Sequence, residues 1–369
     1  LDLQNFENKF KEEFDDFKRT VQKPNILVIG GTGVGKSSLI NICFGEQLAK
    51  VGVGKPITQN IESFSCDSVP VVLFDTKGYE IGSDKEKAFI KDVIDYAIDF
   101  KTSHDAIHIA WYCIQASGGR ITDFDISTIQ KIQQTGLPIA IVLTKSDLIS
   151  DEDAEDLRKV LKNALPAIEV FETTIQGDLN HLQLNELCQW SVDNLEDALK
   201  TGFVSAQRKN IKLKRKEAER IINQHSLGAF GVGFTPIPFS DAPVLLANQA
   251  GLIARILFVY DMQSFASQVK DLLGGAALGS LISESGAWLA SQFVKMLPGI
   301  GTIVGGVING VVASGITYAI GKAISEICFV ISEKIISGQT KELEKFLENI
   351  TAFFESEILK HYKNKKENA

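Results

Sequence analysis

One short stretch near the start of this 369-residue chain restricts its fold more than any other. The apolar run NILVI, residues 25–29, leads directly into GGTGVGKS, Gly30 to Ser37, and then into the helical start SLINICF. This is the pattern G-x-x-x-x-G-K-S in a strand–loop–helix setting, which occurs by chance in roughly 1% of chains this long. Its spacing has a chemical reason. Glycines let the backbone N–H groups of Gly31, Thr32, Gly33, Val34 and Gly35 curl around a phosphate, and the N-terminus of the helix entered through Lys36, Ser37 and Ser38 adds its positive end. Lys36 supplies a point charge to β- and γ-phosphates, and the Ser37 hydroxyl can ligate Mg²⁺. The chain must therefore contain an α/β nucleotide-binding unit.

The surrounding pattern agrees. Short apolar runs at Ile26–Ile29, Val71–Phe74, Ile107–Ile114 and Ile139–Leu143 alternate with amphipathic stretches across 24–200. Runs of this length, separated by helical patterns, predict a mainly parallel sheet buried on both faces. At their ends stand three further groups. Asp75-Thr76-Lys77-Gly78 closes VVLF, where Asp75 can hold Mg²⁺ through water and the Gly78 N–H can touch a γ-phosphate. Alone, D-x-x-G is expected about once by chance in a chain this long; its place at a strand tip gives it meaning. Thr144-Lys145-Ser146-Asp147 closes IAIVL. The Asp147 carboxylate can accept from guanine N1–H and N2–H₂, which adenine does not offer, while the Lys145 stem covers the base. Thr58 lies between the phosphate loop and D-x-x-G, where a switch segment brings a hydroxyl to Mg²⁺. Glu172-Thr173-Thr174 follows AIEVF, and Thr173 is a candidate to back the base.

These motifs, in this order, resemble the P-loop GTPases of the Era/TrmE/septin-like group over roughly 24–200. The resemblance implies GTP/GDP binding, Mg²⁺ and a nucleotide switch. Ras-like enzymes orient water with a Gln just after D-x-x-G. Here that position is Tyr79, so intrinsic hydrolysis is expected to be slow or to use another group. The segment SGGRITDFD is similar to the arginine-containing box of the septin-related immunity-associated and chloroplast-import GTPases, in which G domains pair face to face. By that resemblance Arg120 reaches a partner's nucleotide in trans. A structural alternative pairs it with Asp123 or Asp125 of its own loop.

Outside 24–200 the chain changes character. Leu3, Phe6, Phe10, Phe14, Phe17 and Val21 are spaced 3, 4, 4, 3 and 4 apart, the stripe of an amphipathic helix that Pro24 ends. Leu343, Phe346, Leu347, Ile350, Phe353, Phe354 and Ile358 repeat with the same period, and the expectation is that the helix of 1–23 packs on them. Section 201–369 reads as an all-α domain. Its run Met296–Gly321 holds 26 residues without a charge, including seven glycines and the small-x-x-x-small pairs Gly301/Gly305 and Gly306/Gly310. Three readings stand open for this glycine-rich apolar hairpin: a soluble bundle, membrane contact, or constitutive spanning. A second apolar stretch, Ala242–Tyr260, is interrupted by Arg255. The section from Phe234 to Ile324 resembles a family of unknown function often found after Era-like GTPase domains and described as membrane-associated. Helices at both ends of a G domain are similar in organisation to the immunity-related GTPases.

Charge and cysteines narrow the setting. A net charge of −8 argues against a general nucleic-acid binder, which needs a basic face. The basic cluster Arg208, Lys209, Lys212, Lys214, Arg215 and Lys216 reads as a solvated connector, with attraction to anionic headgroups as the alternative. Five cysteines without a CxxC pair suit reduced thiols in a cytoplasmic, peripherally membrane-associated protein. The chain opens on Leu1 rather than Met, so preceding sequence is expected, and its charged start has no secretory apolar core. The expected function is thus a GTPase, slow without a dimer or partner, whose nucleotide state controls a helical domain that meets a membrane surface or a protein effector. The alternatives are a GTP-gated scaffold with negligible hydrolysis and a ribosome-associated factor of the Era type.

Overall fold

The computed structural model describes residues 3–45, 55–56, 61–66, 69–76, 106–118, 120–174, 183–208, 210–232, 242–262 and 310–367. They form two compact units: residues 22–208, and residues 1–21 together with 209–369.

Unit 22–208 is built on a seven-stranded sheet: β1 (Asn25–Gly30), β2 (Lys55–Pro56), β3 (Ile61–Cys66), β4 (Val69–Thr76), β5 (Ile109–Gln115), β6 (Ile139–Thr144) and β7 (Val170–Glu172). The order is β2-β3-β4-β1-β5-β6-β7. From β4 to β7 every pairing is parallel; β3 and β2 add an antiparallel edge. The apolar runs account for β1, β4, β5 and β6. Strand β3 was not among them, because IESFSC is short, half polar and without a clean period of two.

The period of two in β5 explains how the sheet is covered. Ala110, Tyr112 and Ile114 face a core completed by Ile129 and Ile132 of α3 (Asp123–Gln134) and Leu161 of α4 (Asp151–Ala164). Trp111 points the other way. It stacks on Phe44 of α2 (Lys36–Phe44) with ring centroids 5.9 Å apart, and Phe203 of α6 (Asp197–Ala206) meets both rings edge-on. The Trp111 indole N–H donates to Ser191 Oγ at 3.1 Å, on α5 (Leu184–Asp193). Phe203 lies beyond the expected boundary at residue 200, yet it is fully buried in this unit. The Arg208 N–H closes the unit on the Cys43 carbonyl at 3.1 Å.

The second unit is helical: α1 (Leu3–Thr20), α7 (Ile211–Val232), α8 (Ala242–Val259), α9 (Gly310–Ile336), α10 (Thr340–Glu348) and α11 (Ile350–Glu367). The stripe of α1 finds a different partner from the one expected. Phe14 and Phe17 pack edge-on against Phe258 of α8, while α10 and α11 cover α9. The reason is apolar demand: α8 buries most of its circumference and needs more cover than a one-sided helix. Arg255, the charge interrupting it, lies over the Phe17 ring at 5.0 Å and is attracted by Glu13.

The uncharged run also resolves differently. Its end, 310–321, is the first part of α9, which continues through Lys322, Glu326 and Lys334. The residues before it, with Gly301, Gly305 and Gly306, lie outside the described residues. Ser314–Ile336 is long and apolar enough to cross a membrane, and 67% of its window is buried inside the unit. Close approach explains its glycines: a Cβ on Gly321 would stand 2.7 Å from the Ile222 side chain of α7. Two members of the basic cluster are used within the unit. The Lys214 ammonium is buried and donates to the Val259 carbonyl at 2.9 Å, and Arg215 pairs with Glu326 beneath the Phe329 ring.

Candidate functional site

The site forms where β1, β5 and β6 end. β1 is buried along its whole length and delivers the chain to the loop at Gly30. There a Cβ would lie 2.4 Å from the Cys113 carbonyl of β5, so only glycine lets the strand turn so close to its neighbour. Gly35 has φ 109°, a left-handed conformation that side chains resist, and it begins α2. No side chain caps that helix, so its first-turn N–H groups keep their demand for an acceptor. Lys36 is buried, and its ammonium donates to the Gly30 carbonyl at 3.0 Å and the Gly31 carbonyl at 3.2 Å. Ser37, next in the helix, is exposed, and Ser38 is half-buried. The loop thus combines uncapped donors, a cation and an exposed hydroxyl, a donor set suited to phosphate with Mg²⁺.

The second half of the site is locked to this loop. Thr144 donates its hydroxyl to the Val34 carbonyl, and its side chain is 3.5 Å from where a Gly35 Cβ would be. Lys145 takes a left-handed φ of 56°, which costs roughly 1–2 kcal/mol in a non-glycine residue. In return its ammonium donates to the Gly33 carbonyl at 2.9 Å and to Gln115 Oε1 at 2.9 Å. Beyond it the chain turns through Ser146, whose Oγ donates to the Leu143 carbonyl at 3.0 Å, and exposes Asp147. Thr173 is buried behind this turn: its carbonyl accepts the Ser146 N–H at 3.1 Å. Glu172 is turned to other work, pairing with Arg158 at 3.1 Å.

Asp75 is placed next to Val28 in the β4–β1 register, on the strand neighbouring the loop. Thr58, Gly78 and Tyr79 fall outside the described residues, so the switch, the D-x-x-G glycine and the water-orienting position carry no geometry here. Arg120 is exposed on the segment between β5 and α3. The intramolecular pairing with Asp125 does not form: that carboxylate accepts from Tyr112 and Thr122 instead. The sequence reading passed over Gln115, which bridges Lys145 to Ser117. Its only signal was a polar residue at the tip of an apolar strand.

Comparison with known proteins fits this geometry. A family described as 50S ribosome-binding GTPase matches residues 25–145, and a domain of unknown function, DUF697, matches 201–355. The probable GTP-binding protein EngB of Aquifex aeolicus is 30% identical over 141 residues, covering 37% of this chain and 74% of that protein. The chain belongs to the P-loop GTPases. Magnetosome membrane protein 22 of Magnetospirillum gryphiswaldense is 28% identical over 105 residues, 28% of this chain and 54% of its own length. A crystal structure of a probable EngB protein covers 46% of this chain and 97% of that one, at 16% identity and a TM-score of 0.35. Most of this GTPase's own length lies outside each of these matches.

Proposed function

We propose that the chain is a Mg²⁺-dependent GTPase switch whose nucleotide state controls its helical unit. The observation that carries this is the lock between the two halves of the site: Lys145, from the guanine motif, donates to the carbonyl of Gly33 in the phosphate loop. One element therefore senses both base and phosphates. In this reading the backbone of Gly31–Gly35 and the Lys36 ammonium hold the β- and γ-phosphates. Asp147 selects guanine, Thr144 and Thr173 brace the turn that presents it, and Ser37, Thr58 and Asp75 hold the metal. Mg²⁺ held by these residues would supply positive charge to the phosphates. The Gly78 N–H reports the γ-phosphate.

With Tyr79 in place of a water-orienting glutamine, hydrolysis is slow in the isolated molecule and depends on a second copy, whose Arg120 neutralises developing charge. What supports this is the exposure of Arg120 and the absence, among the described residues, of an ion pair to it. GTP turnover per molecule, measured against protein concentration with and without Mg²⁺, tests the reading. It should rise with concentration in the wild type and not in Arg120→Ala; a flat response in both would remove the trans step, and no turnover at any concentration leaves a GTP-gated scaffold.

The helical unit is the output, and the protein acts peripherally at its target rather than as a resident span. The burial of Ser314–Ile336 within the unit supports this, and the name of the Magnetospirillum relative makes a bilayer the target to test first. Flotation with anionic liposomes in GDP or a non-hydrolysable GTP analogue decides it: binding only with the analogue supports the switch, and no flotation in either state leaves a protein effector.

A further inference from the structure

The segment carrying Arg120 is tied down at both ends. On the β5 side, Gln115 Nε2 donates to Ser117 Oγ at 2.8 Å, and Gln115 Oε1 accepts from Lys145 at 2.9 Å. On the α3 side, Thr122 is the N-cap, with a reciprocal bond to Asp125. The Asp125 carboxylate accepts from the Thr122 N–H at 2.9 Å and from its hydroxyl at 2.7 Å. A capping box needs nothing more. Here the other carboxylate oxygen also accepts from the Tyr112 hydroxyl at 2.9 Å, and both side chains are buried. Tyr112 stands inside β5, so this bond fastens the start of α3 to the strand itself.

The choice of partners matters as much as the anchoring. Asp125 is the nearby acid that an arginine with a local structural role would use. Its two oxygens accept instead from the hydroxyls of Tyr112 and Thr122 and from the Thr122 N–H. Arg120 is left exposed, two residues from the cap, with its charge available to a group outside the segment. Fixing the backbone beside an arginine before its target arrives lowers the entropic cost of the reacting complex.

We propose that Asp125, fixed by Tyr112, is a positioning residue for Arg120, presenting the guanidinium to the nucleotide of a second copy. The proposal rests on the trans role of Arg120 given above. Its test is a double-variant comparison of concentration-dependent GTP turnover. Tyr112→Phe keeps the ring and removes the hydroxyl. It should lower turnover at high protein concentration about tenfold, leave GTP affinity and the dilute rate unchanged, and cause no further loss in an Arg120→Ala background. Asp125→Asn should give the same pattern and serves if Tyr112→Phe does not fold.

Each outcome decides something. Full turnover in both variants, or a loss that multiplies with that of Arg120→Ala, overturns positioning while the trans role stands. If Arg120→Ala itself changes nothing at any concentration, the trans role fails and takes the positioning role with it.

Discussion

Lys145 carries more constraints than any other described side chain at the site. Its strained backbone and its bonds to Gly33 and Gln115 are compatible only because β5 and β6 bring Gln115 and the loop within its reach. Asp147 is free of such duties and is exposed. Exchanging it for Asn removes a charge and turns one acceptor into a donor. Asp147→Asn should weaken GTP binding by about 2–3 kcal/mol, the worth of charge-assisted hydrogen bonds. It should also gain affinity for xanthosine triphosphate, whose C2 carbonyl accepts where guanine donates; equilibrium competition with a fluorescent GTP analogue measures both. Lys36→Ala should reduce GTP binding much more than it reduces stability, since it removes the loop's cation while the Gly30 and Gly31 carbonyls it bonds are neutral. Isothermal titration against GTP, with a thermal melt as control, separates the two effects.

At the scale of elements, β5 organises the unit because its two faces do different work. One face joins the α3 and α4 core through Tyr112, and the other joins the ring stack of Phe44, Trp111 and Phe203. Phe203→Ala should destabilise the unit by about 3–5 kcal/mol, the range for emptying a buried aromatic site, read from urea unfolding. His108, just before β5, accepts the Asn25 N–H through Nδ1 at 2.8 Å, a bond only the unprotonated nitrogen can make. Burial lowers its pKa from the ordinary 6.5, against the opposing pull of Glu196. The unfolded chain therefore takes up the proton first. Stability is fully present above about pH 6.5 and declines as pH falls from there through the native pKa. Unfolding midpoints between pH 7.5 and 5 should show this decline, and His108→Gln should lessen it, the remainder coming from His225 and His361, whose pKa values burial also lowers. The phosphate loop, the guanine motif and most of the sheet were legible in the sequence, since each is a run of adjacent residues with its own period or spacing. The Tyr112–Asp125 bond and the Gln115 bridge were not, because each joins residues whose meeting depends on how β5 sits against α3 and β6.

For the whole molecule, composition pointed to an average rather than a type. A mean hydropathy of +0.06 combines an ordinary G domain with a helical unit in which α8 and most of α9 are apolar. In that unit, Arg255 was read as an interruption, and the structure gives it the Phe17 ring and the attraction of Glu13. Arg255→Leu should consequently leave the unit folded, with a melting temperature changed by only a few degrees, whereas Phe17→Ala should lower it more. By itself the sequence determined that this chain holds a guanine-nucleotide site and two helical flanks, because motif spacing and hydrophobic period are local properties. Only the tertiary structure decided which helix covers which, and that Lys214 and Arg215 of the basic cluster are engaged within the helical unit. It also decided that Asp125 serves a tyrosine rather than the arginine beside it. Packing is a competition among all apolar and charged surfaces at once, and no stretch of sequence records its outcome alone.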